Sequence, residues 1–135
     1  MDYDELLDDL GNPEIIPFKE ETGTQSKGAY FPDFNLIFVN DKYSDIDREN
    51  IIMHELGHRK FGHVHNALCA PSVKIKQEAQ ADQYMIQLRA VQWLNAFDNS
   101  WEEEDINIYN FLNYFHFSRR YYEMAEKSFR NLMTR

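Results

Sequence analysis

His54, Glu55 and His58 stand in the run His54-Glu55-Leu56-Gly57-His58. On an α-helix, residues four apart share one face, so two imidazoles at this spacing can reach a single ion. Zinc accepts imidazole nitrogen at about 2.0–2.1 Å. Glu55, one position after the first histidine, can then touch a water on that ion without being a ligand itself. With 5 His and 12 Glu in 135 residues, chance alone yields roughly 0.02 such runs. The run is therefore informative, but its weight depends on the elements around it.

Two histidines leave a catalytic zinc one protein ligand short of the usual three plus water. Glu78 is the best candidate for the third, with 19 residues between His58 and itself on the next helical segment. Asp82 follows one turn later on the same face. It can accept the second ring N–H of a ligand histidine and so fix its tautomer and orientation. Both acids fall inside an otherwise apolar helical stripe of Ile75, Ala79, Ile86, Ala90, Trp93 and Phe97. Buried unpaired carboxylates cost several kcal/mol, so these two need partners. Metal and histidine would supply them, and an ion network with Arg89 is the alternative.

The chemistry of such a centre is hydrolytic. Zinc lowers the pKa of the water it binds from about 9 towards about 7. Glu55 accepts a proton from that water and passes it to a leaving amine. A further donor commonly stabilises the oxyanion, and His116, Tyr114, Tyr121 and Tyr109 are candidates that the sequence does not separate. His63 and His65 are expected in loop-end or capping roles, because His63 lies past Gly62 and projects about 180° from His54 on a continued helix.

The elements that must hold these residues are legible in outline. Tyr3, Leu6, Leu7 and Leu10 have helical spacing ahead of Gly11-Asn12-Pro13. Ile15 to Phe18, interrupted by Pro17, reads as an edge strand, and Glu20 to Gly28 as a loop. Gly28 to Pro32 and Asn35 to Asn40 read as strands, with Pro32-Asp33 turning a hairpin between them. Ser44 with Asp47 resembles a capping box that opens a helix over about Asp45 to Phe61, stopped by Gly62. Its centre, Ile51-Ile52-Met53 and Leu56, is apolar around most of the circumference, as a covered central helix should be. His63 to Ser72 is a loop, and Val73 to Phe97 a long helix. Residues 98 to 105 form an acidic connector. Helices over Ile106 to Phe115 and from a Ser118 cap to about Met133 complete the chain.

Composition narrows the class. The net charge is −9, and residues 1 to 65 carry 14 acids against 6 bases, leaving 9 against 8 in the remainder. That balance opposes direct nucleic-acid binding, which needs Lys and Arg clusters. Arg119, Arg120, Lys127 and Arg130 do put some positive charge on the last helices, where a DNA-binding helix pair is the weakest of the readings. Cys69 is the only cysteine, which excludes an internal disulfide and suits a reducing compartment. No apolar run approaches the roughly 20 residues of a membrane span, and an acidic start is unlike a secretion signal. A cytoplasmic protein with no membrane association is expected. The length fits one domain over 1–135, with a metal-binding core at about 28–97 and a helical C-terminal part at about 105–133. The fold class expected is α+β, a small N-terminal β-sheet packed on the central His-Glu helix and the helices after it.

His54-Glu55-Leu56-Gly57-His58-Arg59-Lys60-Phe61-Gly62-His63, followed by Glu78-Ala79-Gln80-Ala81-Asp82, resembles the ImmA/IrrE family of metallopeptidases. The resemblance covers about residues 28 to 97. It implies a minimal zincin-like, gluzincin-type fold, Zn2+ held by His54, His58 and Glu78, and Glu55 as general base. It also implies a cytoplasmic bacterial or phage-borne endopeptidase whose protein substrate is a helix-turn-helix repressor. The chain departs from the family in Tyr84-Met85-Ile86-Gln87-Leu88-Arg89, where a leucine-rich, proline-ended segment is usual. The competing expectation is a non-enzymatic, zinc-stabilised anti-repressor or protein-binding module, its metal closed by a fourth ligand such as His63 or His116. If the chain is an endopeptidase, the strand before the His-Glu helix is expected near the cleft, with Leu36 to Val39 helping to align substrate at a sheet edge.

Overall fold

The computed structural model describes residues 11–19, 27–63, 70–96 and 106–133. Within them the protein is α+β, a three-stranded sheet followed by four helices. The predicted N-terminal helix before Gly11, most of the Glu20 to Gly28 loop, the stretch with His65 and Cys69, Phe97 and the acidic connector lie outside the described residues.

Strands β1 (Glu14–Phe18), β2 (Gly28–Phe31) and β3 (Leu36–Asn40) form the sheet in the order β1-β3-β2. β1 runs parallel to β3 with Ile15 opposite Ile37, and β2 runs antiparallel to it with Tyr30 opposite Ile37. Pro17 cannot donate to a ladder, which confines its strand to an edge, and β1 is an edge strand. The predicted hairpin turn is a 3-10 turn over Pro32–Phe34, closed by Asn35 in the left-handed region at φ 52°.

One sequence expectation needs correction here. β3 is the central strand, paired on both sides, so Leu36 to Val39 cannot receive a substrate chain. Ile37 and Val39, two of its strong β-formers, are buried and face the core. The strand at the edge beside the helices is β2.

Helix α1 (Asp45–Lys60) lies over the sheet and buries Ile51, Ile52, Met53 and Leu56, each such side chain contributing about 1.5–3 kcal/mol. Ser44 is its N-cap, as expected, but its hydroxyl donates to the Asp47 carboxylate at 2.9 Å and caps no backbone N–H. α2 (Pro71–Asn95) packs against α1 in the opposite direction. Ile46 and Asn50 meet Arg89, His54 meets Asp82, and Gly57 meets Ala81. A Cβ on Gly57 would fall 2.8 Å from the Ala81 Cα, so glycine there lets the two backbones approach closely.

This pairing explains a second departure. A 25-residue helix is about 37 Å long and a 16-residue helix about 24 Å. The first turns of α2 therefore overhang the end of α1. Ile75 and Ala79, read as part of a buried stripe, are exposed, and burial begins at Ala81. α3 (Ile108–Tyr114) and α4 (Tyr122–Met133) close the core through Phe111, Leu112, Ala125 and Phe129. The predicted Ser118 start is a 3-10 turn over Arg119–Tyr121 that runs into α4. No helix among the described residues is long and apolar enough to cross a membrane.

Candidate metal centre

The run of α1 and the overhang of α2 bring three candidate ligands to one place. His54 Nε2 lies 2.9 Å from Glu78 Oε2, His58 Nε2 lies 3.2 Å from Glu78 Oε1, and the two Nε2 atoms are 3.2 Å apart. Four ligands at about 2.0–2.1 Å around a tetrahedral ion stand about 3.3 Å from each other. The observed triangle thus has the size of one face of such a site, with Glu78 Oε1 and Oε2 both within reach. His54, His58 and Glu78 form a group that could hold a metal ion. The donor set, two imidazoles and one carboxylate, is one that divalent transition metals accept.

Burial around the group is graded. His58 is 1% exposed, His54 is partly covered and the Glu78 side chain is 50% exposed. Glu78 was expected on a buried face. It sits instead where α2 passes the end of α1, and so can face the histidines and water together. Asp82 occupies the place anticipated for it, its Oδ1 2.9 Å from His54 Nδ1. An Nδ1–H donated to that carboxylate leaves the Nε2 lone pair for a metal. Burial alone would lower the His54 pKa, but the hydrogen bond to Asp82 and the charges of Asp82, Glu55 and Glu78 outweigh it and raise it.

Glu55 is buried beside this group, and its Oε2 accepts no hydrogen bond among the described residues. Burial is the main reason its carboxyl is pushed up to about 7; His54 opposes the shift and Glu78 adds to it. A carboxyl with a proton affinity near neutrality can both take up and release a proton at working pH. Glu55 lines a cleft of about 480 Å³ together with His54, Glu78 and Asp82.

Arg89 does not join Glu78 and Asp82. Its guanidinium donates to Asn50 Oδ1 at 2.8 Å, Gln92 Oε1 at 2.8 Å and the Ile46 carbonyl at 3.1 Å, with Glu49 at 3.5 Å. Asn50 in turn donates to the Phe115 carbonyl at 2.8 Å. This buried network ties α1, α2 and the turn after α3 together, and that turn carries His116 at φ 63°. Of the four oxyanion-donor candidates, His116 and Tyr121 line the cleft. His116 Nδ1 is 3.1 Å from Asp47 Oδ1. Tyr109 packs on Tyr122, and Tyr114 on Trp93 and Phe115.

His63 is the residue whose place the sequence reading missed. It is buried, with its Nδ1 3.0 Å from His58 Nδ1 and its Nε2 2.6 Å from Gln80 Oε1. The helix does not continue to it. Gly62 at φ 65° reverses the chain, its N–H reaching the Arg59 carbonyl and the His63 N–H reaching the His58 carbonyl. That pair of bonds is the Schellman ending, in which the residue after the glycine folds back onto the residue five before it. The signal was present in Gly62-His63 at that distance from His58. No family model, curated protein or solved structure matches the chain, so the candidate centre stands on its geometry alone.

Proposed function

We propose that this protein is a zinc-dependent endopeptidase of the ImmA/IrrE type, a minimal zincin-like fold that hydrolyses a peptide bond in a protein substrate. The substrate proposed is a helix-turn-helix repressor, and the setting cytoplasmic. The carrying observation is the convergence of His54, His58 and Glu78 next to a buried Glu55, at a cleft that His54, Glu55 and Glu78 line. Zinc held by those three residues would supply an electrophile for the scissile carbonyl and a more acidic attacking water. Glu55 takes the proton from the attacking water and delivers it to the leaving amine, a task that its raised proton affinity suits. His116 and Tyr121, which line the same cleft, are proposed as donors to the developing oxyanion. β2 is the sheet-edge strand whose first residue, Gly28, lines the cleft, so an extended substrate is proposed to align along β2.

The alternative, a zinc-stabilised anti-repressor that only binds, requires a fourth protein ligand. Among the described residues the metal-capable group has three members. Both ring nitrogens of His63 are engaged, with His58 and Gln80, and His116 is not a member of the group. These two observations favour the enzyme. Metal analysis of the purified protein, followed by incubation with a repressor encoded beside its gene, tests the proposal. Cleavage products are expected from the wild type, and from Glu55→Gln a zinc-loaded protein that cleaves nothing. Cleavage by Glu55→Gln at the wild-type rate would remove Glu55 as the base. Equimolar zinc without cleavage of any repressor offered would favour the binder.

A further inference from the structure

We infer that His63 and Gln80 form an arm that sets the tautomer of His58 and so presents its Nε2 lone pair to the metal. The inference deepens the metal reading above and rests on it for its purpose. His58 is a nearly inaccessible ring, so its second nitrogen needs a protein partner, and Asp82 serves only His54. His63 Nδ1 stands 3.0 Å from it, and beyond it Gln80 Oε1 stands 2.6 Å from His63 Nε2.

The direction of these bonds follows from what each atom can do. An amide oxygen only accepts, so His63 Nε2 carries the hydrogen and donates to Gln80. Neutral His63 then has its lone pair on Nδ1, where it accepts from His58 Nδ1–H. His58 Nε2 is left as a bare lone pair, aimed at His54 Nε2 and Glu78. With the Gln80 amide turned round, every bond in the chain reverses. His58 would then carry its hydrogen on Nε2 and could not ligate. Only one orientation of the arm is compatible with a metal.

Local structure explains how the arm is built. The Schellman ending places His63 over His58. The Phe61 ring stacks on His63 with centroids 5.8 Å apart and planes 23° apart, which restricts the imidazole. Three positions within one five-residue stretch of α2 therefore serve the whole centre: Glu78 faces both metal-candidate histidines, Asp82 orients His54, and Gln80 orients His58 through His63. His54 has a charged acceptor behind it and His58 a neutral relay.

The test uses the full chain, with zinc as the probe and a second readout on the ring itself. In the metal-free wild type at pH 8, long-range proton–nitrogen NMR correlations are expected to show His58 with hydrogen on Nδ1. Gln80→Leu and His63→Leu should give mixed tautomers and bind zinc roughly 10–100-fold more weakly in competition with a chelator. Gln80→Glu, which keeps an acceptor oxygen, should restore the tautomer and the affinity. A mere packing defect would not be repaired by adding a charge at that position. His58 carrying hydrogen on Nε2 in the wild type would overturn the inference. So would Gln80→Leu that matches the wild type in both tautomer and affinity. Failure of the wild type to bind zinc would refute the metal reading separately, and the NMR result would still decide the arm.

Discussion

Replacing Glu55 with glutamine has a consequence that can be measured without substrate or metal. The Glu55 carboxyl is buried and its pKa stands at about 7 against an ordinary 4.5. At about 1.4 kcal/mol per pKa unit, charging Glu55 in the folded, metal-free protein costs about 3 kcal/mol more than charging it in the unfolded chain. The sign follows from proton counting. Between pH 4.5 and 7 the folded state holds more protons than the unfolded state, so wild-type stability falls as pH rises through that window and levels off above it. Glutamine has nearly the same shape and no charge to bury, so it abolishes that loss. The stability difference between Glu55→Gln and wild type should therefore grow by about 2–3 kcal/mol from pH 5 to pH 8, in favour of the variant. His54 contributes with the same sign, because the Glu55 charge helps to raise its pKa. Urea unfolding of both proteins in the presence of a chelator, followed by far-UV circular dichroism at several pH values, measures the difference directly. A difference that stays constant across the range would refute the claim that Glu55 is desolvated, and with it the account of how this carboxylate is tuned as a base.

Two other perturbations probe how the centre is assembled. Gly57→Ala places a methyl 2.8 Å from the Ala81 backbone, so α1 and α2 must separate. A destabilisation of about 1–3 kcal/mol and a loss of zinc binding are expected in denaturant titration and chelator competition, and unchanged zinc affinity would show that the close approach does not set the ligand triangle. Asp82→Asn removes the charge behind His54. The raised His54 pKa stabilises the metal-free fold below the ordinary histidine value and that gain disappears as pH rises through the folded value. The variant should therefore lose stability at pH 6 relative to pH 8 and bind zinc roughly 10–100-fold more weakly; a loss independent of pH would mean that Asp82 acts by packing alone.

The division of labour between sequence and tertiary structure follows from the range of the interactions involved. His54 and His58 share a face because both lie four residues apart on one helix, and Glu78 and Asp82 do so for the same reason. The ends of α1 were also readable, since Ser44 and Gly62 act within a turn of themselves. Misreadings began where an outcome depended on a distant partner. Burial of Ile75 depended on where α1 ends, the central position of β3 on the pairing of β1, and the engagement of Arg89 on Asn50 across a helix interface. His63 is the instructive intermediate case. Its reversal onto His58 is a local consequence of a glycine in the left-handed region, but its contact with Gln80 depends on the packing of α2 and no local pattern encodes it.

The sequence by itself therefore determined which atoms are available for a metal and at what spacing along each helix. Only the folded chain decided that the two sets meet. They meet beside the contact of Gly57 with Ala81, two residues 24 positions apart whose close approach no local pattern encodes.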